Sequence, residues 1–343
     1  MTGSDIPQVG ARGKPKTKRR RLWKIVGLTL GIILVAGVAA ASYFGYRTAN
    51  SVSEIVRVPD AMPTGSRPPS AVPSVAGASV PLNILCIGSD KRSSNENGRS
   101  DSFILLHISA DRKTAYFTSF PRDMWVAIPG HGTAKINAAY SWGGSALAVQ
   151  TIESLIGVRI DHVVSTDFSD FISLIDVVGG VTVDNPVAFT GIEAGSGTYY
   201  NWPVGPVQLD GKTALIFARQ RYGLPRGDLD RALRQRAVLK ALALKIASPD
   251  VLANPVRLSE VISSVGKYVT VDSQLTNSAI YDLALSMRIT SPDQISMLQA
   301  PLTGFGTSAD GQSIDVVDVP GLAALGTALQ TDTMAAYMAS HPK

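Results

Sequence analysis

From residue 82 onward the apolar positions form short runs and longer helical patterns, separated by polar or glycine-containing segments. Residues 82–89 (LNILCIGS), 102–109 (SFILLHIS) and 114–120 (TAYFTSF) are apolar, partly β-branched and of strand length. Residues 145–157 (SALAVQTIESLIG) have helical spacing and close on Gly157. The stretch 162–168 reads as a strand, 168–180 (FSDFISLIDVVGG) as a helix stopped by glycine, and 181–184 (VTVD) as a further strand. The clearest helix is 228–247, where Leu233, Ala237, Ala241 and Leu244 recur at i, i+4, i+8 and i+11 along one apolar face. Helices are expected near 255–267 and 276–287, and 295–335 reads as two short strands and a helix. Strands alternating with helices predict one α/β domain around a central sheet, spanning 82–335 and followed by a short tail at 336–343.

Before residue 82 the pattern changes. Ile25 to Tyr46 is a run of 22 residues without a charge. At 1.5 Å per residue it spans about 33 Å, enough for a bilayer core of roughly 30 Å. Trp23 before it and Tyr43, Phe44 and Tyr46 at its end suit the two membrane interfaces. The competing reading is a cleavable signal peptide, whose apolar region usually runs to only about 7–15 residues. Eight Lys/Arg in residues 1–24 place that basic tail in the cytoplasm, and everything after the span outside. Residues 47–81 carry Pro59, Pro63, Pro68, Pro69, Pro73 and Pro81 among Ser, Ala and Val, which predicts an extended linker. The expected localisation is the cell membrane, single-pass, with an extracellular domain.

Composition narrows the function. The 343 residues are 45% hydrophobic and 17% charged with one cysteine, which excludes a disordered chain and a disulfide-stapled one. The formal charge of +5 resides in the tail, since eight of 32 basic residues but only Asp5 of 27 acidic ones lie before residue 25. The rest of the chain is slightly acidic, so a nucleic-acid partner loses its support. Four scattered histidines, with no HExxH and no cysteine pair, argue against zinc, and no GxSxG elbow occurs. The segment DGKT at 210–213 lacks the first glycine of a phosphate loop, having Pro206 there.

Two constellations remain. Asp90 ends an apolar strand and Asp101 opens the next, at the kind of sheet edge where open α/β sheets bind ligands. Two hard oxygen ligands suit Mg²⁺ or Mn²⁺ holding a phosphate, and the bland alternative is a turn aspartate and a strand-starting one. The second is a run of six arginines in 18 residues: Arg219, Arg221, Arg226, Arg231, Arg234 and Arg236, against Asp228 and Asp230. Arg231, Arg234 and Gln235 share a helical face at i, i+3 and i+4, and Asp228 is either a plain helix cap or functional. The arginines are either a solvated face or a site for a polyanion. Crowded like charges repel unless an anion lies among them, and guanidinium forks match phosphate oxygens. Arg122 and Lys135 are lesser candidates.

Seven segments, NILCIGSDKR, GRSDSFILLHI, SFPRDMWVAIPG, KINAAYSWGG, DFSDFISLIDVVGGVTV, LDGKTALIFARQR and GDLDRALRQ, follow one another as in LytR-CpsA-Psr proteins, which the chain resembles over roughly 82–247. Residues 290–335 are similar to the ending of actinobacterial members. The resemblance implies an α/β domain with a central mixed sheet flanked by helices, preceded by a single transmembrane helix. It also implies transfer of a phosphate-linked glycopolymer from a polyprenyl-pyrophosphate carrier to a peptidoglycan hydroxyl, the muramic acid C6 oxygen. The polymer would be arabinogalactan, teichoic-acid-like or capsular. By position, Asp90 and Asp101 are implied as Mg²⁺ carboxylates, and Arg99, Arg122, Arg219, Arg221, Arg231 and Gln235 as the pyrophosphate set. Asp228 falls where the family keeps a catalytic or orienting aspartate, and Arg122 is also carried as catalytic. One departure is Arg236, where many members have a second Gln. A pyrophosphate hydrolase and a non-catalytic envelope binding or regulatory protein are the alternative functions. An apolar groove for the prenyl chain is expected beside the site.

Overall fold

The computed structural model describes residues 55–71, 79–89, 100–193, 195–220, 228–246, 248, 251 and 254–341. The span at 25–46 and the basic tail lie outside them; among the described residues no helix is long and apolar enough to cross a membrane. In chain order the elements are β1 (Val56–Val58), β2 (Leu82–Ser89), β3 (Ser100–Ile108), β4 (Ala115–Phe120), β5 (Trp125–Ile128), β6 (Gly132–Lys135) and helix α1 (Ile136–Ile156). Next come β7 (His162–Asp167), α2 (Phe168–Val177), β8 (Val181–Asn185), β9 (Phe189–Ile192), β10 (Tyr199–Trp202), β11 (Gly205–Leu209), α3 (Gly211–Arg219) and α4 (Asp228–Ile246). Then follow α5 (Pro255–Gly266), β12 (Thr270–Asp272), α6 (Asn277–Ser286), β13 (Ile295–Gln299), β14 (Leu302–Thr307), β15 (Ser313–Val317), α7 (Val319–Gln330) and α8 (Met334–Ser340).

Seven strands form one mixed sheet in the order β1-β12-β7-β2-β3-β4-β13. Strand β2 is antiparallel to β3 and parallel to β7, and β13 is parallel to β4. Alternation along β2 and β3 sends Leu85, Ile87, Phe103 and Leu105 into a core shared with α1 and α7. Their neighbours Cys86, Ile104 and Leu106 face the opposite layer, which α4 covers with Leu239, Ala243 and Leu244. The strand-helix alternation therefore produces the expected α/β architecture with helices on both faces. A smaller lobe adds the antiparallel pair β8–β11 and the hairpin β9–β10 to α2, α3 and α4 around Phe189, Trp202 and Phe217, whose ring centroids lie 5.0–5.4 Å apart.

Three sequence expectations need correction. Residues 55–71 are not a detached linker: β1 extends the sheet by pairing with β12, and Ile55, Ala61 and Met62 are buried. Arg67 forms a buried ion pair with Glu153 of α1 at 2.6 Å. The prolines allow only a single short 3-10 turn at Pro59–Ala61, and leave an edge strand and an extended, side-chain-anchored segment available. The helix expected over 145–157 is present and ends at Ile156, and the non-helical Gly143 and Gly144 join it to a further helical segment that starts at Ile136; Gly144 has φ +60° and ψ −154°, which only glycine adopts readily. The C-terminal part has three strands, not two, and α8 with its buried Met334 carries the fold past residue 335. Finally, the buried stripe of α4 is Arg234, Val238 and Leu242, while Leu233 is exposed. The charge on Arg234 conceals that stripe from a count of apolar letters.

Candidate functional site

The sheet topology gathers the candidate residues at one edge. The C-terminal ends of β2, β4 and β7 and the start of β3 lie there, since β3 runs against β2 and β4. Ser89 pairs with Asp167 on one side and Ser100 on the other. Between the Gly88–Ser102 and Ser89–Ser100 pairs the register slips by one residue, so Asp101 is the extra residue of a bulge. Bulges bend a strand locally and recur next to active sites. The bulge is pinned by Ser100, whose hydroxyl bonds the carbonyls of Gly88 and Ser102 at 3.1 Å. Arg122 follows the end of β4, so Asp101 and Arg122 come to the same edge. Asp123 lies between two cations, 3.0 Å from Lys135 Nζ and 3.6 Å from Arg122 Nε.

Asp90, Arg99, Arg221 and Arg226 lie outside the described residues, and Asp101, Asp228 and Arg231 are described in backbone alone. Asp228 opens α4, and Arg231 sits in its first turn. The remaining arginines separate by environment. Arg219 ends α3 and is exposed at the lining of a cavity. Arg234 is buried: it donates to the carbonyl of Phe217 at 3.0 Å and to that of Gln220, and its guanidinium lies 4.6 Å above the Phe189 ring. It thus caps the C-terminal turn of α3, a structural task, and does not belong to an exposed cationic face. The DGKT segment is a capping box: Asp210 accepts from the Thr213 N–H at 2.8 Å, and the Thr213 hydroxyl accepts from the Asp210 N–H at 3.0 Å.

The cavity lies between the sheet, α2, α3 and α4 and has a volume of about 220 Å³. Ile104, Leu174, Leu215, Leu239 and Leu242 make it apolar; Gly88, Ser102, Thr166 and Asp167 line it at the strand-end edge, with Arg219 and Gln235. Its volume falls below the roughly 300–1,000 Å³ of compact ligand pockets, which suits a slender chain. Cys86 is also in the wall, where burial pushes its thiol up to about 12, so it stays protonated and inert. Sequence reasoning missed Asp167, which caps α2 by accepting from the Asp170 N–H at 2.8 Å. An aspartate between strand and helix carries no signal beyond an ordinary cap. Burial, and then Asp167 beside it, holds the Asp170 carboxyl above its usual range.

The fold is thus α/β, with cationic and carboxylate positions at its strand ends beside an apolar cavity. Residues 53–331 match the LytR_cpsA_psr family, and the chain belongs to this LytR-CpsA-Psr family of transferases. It is 33% identical over 267 residues to the polyisoprenyl-teichoic acid–peptidoglycan teichoic acid transferase TagU of Bacillus cereus, covering 78% of this chain and 83% of that one. The crystal structure of B. subtilis TagV superposes with a TM-score of 0.64 at 29% identity, covering 75% of this chain and 98% of that chain. TagT bound to LI-WTA gives a TM-score of 0.61 at 25% identity, over 81% of this chain and all of the other.

Proposed function

We propose that this chain transfers a phosphate-linked glycopolymer from a polyprenyl-pyrophosphate carrier to a peptidoglycan hydroxyl, the muramic acid C6 oxygen. The observation that carries the reading is the junction of Arg219 and Gln235 with an apolar cavity at the strand-end edge. The cavity would take the proximal part of the prenyl chain and the edge its pyrophosphate. The acceptor hydroxyl attacks the phosphorus next to the sugar, the bond from that phosphorus to the bridging oxygen breaks, and polyprenyl phosphate leaves. Such a transfer needs positioning and charge neutralisation more than covalent help. Arg122, Arg219 and, by the family pattern, Arg99, Arg221, Arg231 and Gln235 supply donors to the phosphate oxygens. Asp228, at the start of α4, orients the donor or the acceptor hydroxyl.

The bulge at Asp101 beside the end of β2, which Asp90 directly follows, suits a divalent cation: both positions offer hard oxygen donors on neighbouring strand ends. Mg²⁺ or Mn²⁺ held there would neutralise pyrophosphate charge. The span at 25–46 would keep the domain at the outer membrane face, within reach of a lipid-linked donor. The activity named for TagU, transfer of polyisoprenyl-linked teichoic acid to peptidoglycan, supports the substrate classes, while the polymer itself is left open among the three classes above.

The test incubates the full-length chain in detergent with a lipid-linked glycan and peptidoglycan, with and without chelator. Glycan phosphate joined covalently to peptidoglycan, and lost with chelator, is the expected product. Free glycan phosphate alone would mark a hydrolase, and no turnover a non-catalytic protein; either result rejects the transfer reading.

A further inference from the structure

Helix α4 separates two cavities. Gln235, Leu239 and Leu242 line the one already described, whereas Leu233, Arg236, Ala237 and Lys240 line another of about 680 Å³ on the far side. The spacing i, i+3, i+4 and i+7 makes the latter set a single helical stripe. Its opposite wall is the edge strand β13 with Met297, Leu298 and Gln299, and α8 closes it. Gln299 is the last residue of β13 and pairs with Ser119, two residues before Arg122's own segment begins at Pro121. The second cavity therefore runs toward the same strand-end edge as the candidate transfer site.

Its chemistry is unusual for a mainly apolar recess. Burial lowers the Arg236 guanidinium, and no neighbouring carboxylate offsets it. Among the described residues Arg236 has neither a hydrogen-bond acceptor nor an ion pair. Lys240 stands one turn further along the same stripe, with Asp293 as a weak neighbour and no ion pair among the described residues. Two half-buried like charges at i and i+4 are unfavourable without an anion between them. The other walls are apolar, and Tyr337 and His341 stack there with centroids 4.3 Å apart.

Resting on the transferase reading, we propose that this second cavity seats the acceptor, namely the stem peptide of peptidoglycan, with a peptide carboxylate on Arg236 and Lys240. Small apolar side chains of the peptide pack on Leu233, Met297 and Met338, and the glycan strand is thereby presented at the strand-end edge. A phosphate-repeat polymer fits less well, because a repeating polyanion calls for an open cationic strip and not a mainly apolar recess with two cations. Arg236 stands where many members of the family have a second Gln, a neutral residue that could not pair with a carboxylate in this way.

The experiment titrates a soluble disaccharide–pentapeptide into the full-length chain in detergent by calorimetry. Parent protein, Arg236→Gln and Lys240→Gln are compared, and so are a carboxyl-amidated fragment and a glycerol-phosphate oligomer. The expected result is binding to the parent, weakened about tenfold in Arg236→Gln and weakened as much by amidation. Arg236→Gln should melt no lower than the parent, which excludes a folding defect as the cause. No binding to the parent, equal binding by all three proteins, or an affinity loss confined to the oligomer overturns the proposal. Binding of polyprenyl pyrophosphate, measured on the same samples, tests the transferase reading separately. Its absence from the parent sinks that reading, and its retention in Arg236→Gln with loss of the fragment places the defect at the acceptor cavity.

Discussion

The Arg234 guanidinium lies inside the small lobe, bonded to the carbonyls of Phe217 and Gln220 and stacked on Phe189. Arg219, fifteen residues earlier, is exposed at the cavity lining. The two should respond oppositely to alanine. Arg234→Ala removes charge-assisted bonds and leaves two carbonyls and an aromatic face without their partner, so denaturant unfolding should show a loss of about 2–4 kcal/mol. Arg219→Ala should alter stability by under about 0.5 kcal/mol, yet weaken lipid-pyrophosphate binding by on the order of 10- to 100-fold. Lys at 219 should restore only part of it, since an ammonium keeps the charge without the planar fork. Unfolding curves and donor titrations on the same proteins check both. Thr118 offers a contrasting case. It is fully buried in β4, and its hydroxyl has no hydrogen-bond partner among the described residues. Thr118→Val removes that unsatisfied group at similar shape and should raise stability by about 1 kcal/mol, read as a higher melting temperature.

Asp272 determines how β12 attaches to its neighbours. Its carboxylate accepts from the Val163 N–H of β7 at 3.0 Å and from the N–H groups of Gln274 and Leu275 at 2.9 and 3.1 Å, and His162 lies 3.1 Å away. Burial would raise this carboxyl, but His162 and the backbone donors outweigh it and hold the group below its usual range. A depressed folded value means stabilisation that is complete above the unfolded value near pH 4 and is lost as pH falls through the lower folded one. Asp272→Asn should therefore cost roughly 1.5–3 kcal/mol at pH 7, and the gap to the parent should narrow toward pH 3, as measured by urea unfolding at both. Elements of this kind divide by what their signals are. Strand β2 and the end of α1 at Gly157 are legible because alternation and a left-handed cap, with φ +68°, are local facts. Strand β1 and the hairpin β9–β10 are not, because their residues become strand only through partners found elsewhere in the chain.

At the level of the whole molecule, charged candidates are easier to read from the sequence than the surroundings that packing gives them. Arg122 and Asp101 are visible as letters, whereas the bulge that isolates Asp101 depends on a register slip between β2 and β3. Likewise the arginine run is plain in the chain, but only packing separates Arg219 from Arg234 and Arg236. The most consequential miss is the start of the folded unit. A chain begun at Leu82, the boundary that proline content suggests, lacks β1, the buried Ile55, Ala61 and Met62, and Arg67. Glu153 would then keep its bond from the Ile160 N–H at 2.8 Å but lose the guanidinium that neutralises it, while remaining inside α1. Breaking one side of a buried pair costs about 3–5 kcal/mol, a large share of a typical stability of roughly 5–15 kcal/mol. At about 2–4 °C per kcal/mol for a domain of this size, the chain begun at Leu82 should melt on the order of 10 °C below one begun at Ser53. Glu153→Gln should recover part of that loss in the shorter chain, because it removes the uncompensated charge, and should destabilise the longer chain, where Arg67 is left without its carboxylate. Thermal melts of the four proteins give the answer: equal melting of the two starts, or no opposite sign for Glu153→Gln, would return residues 55–71 to the role of a linker.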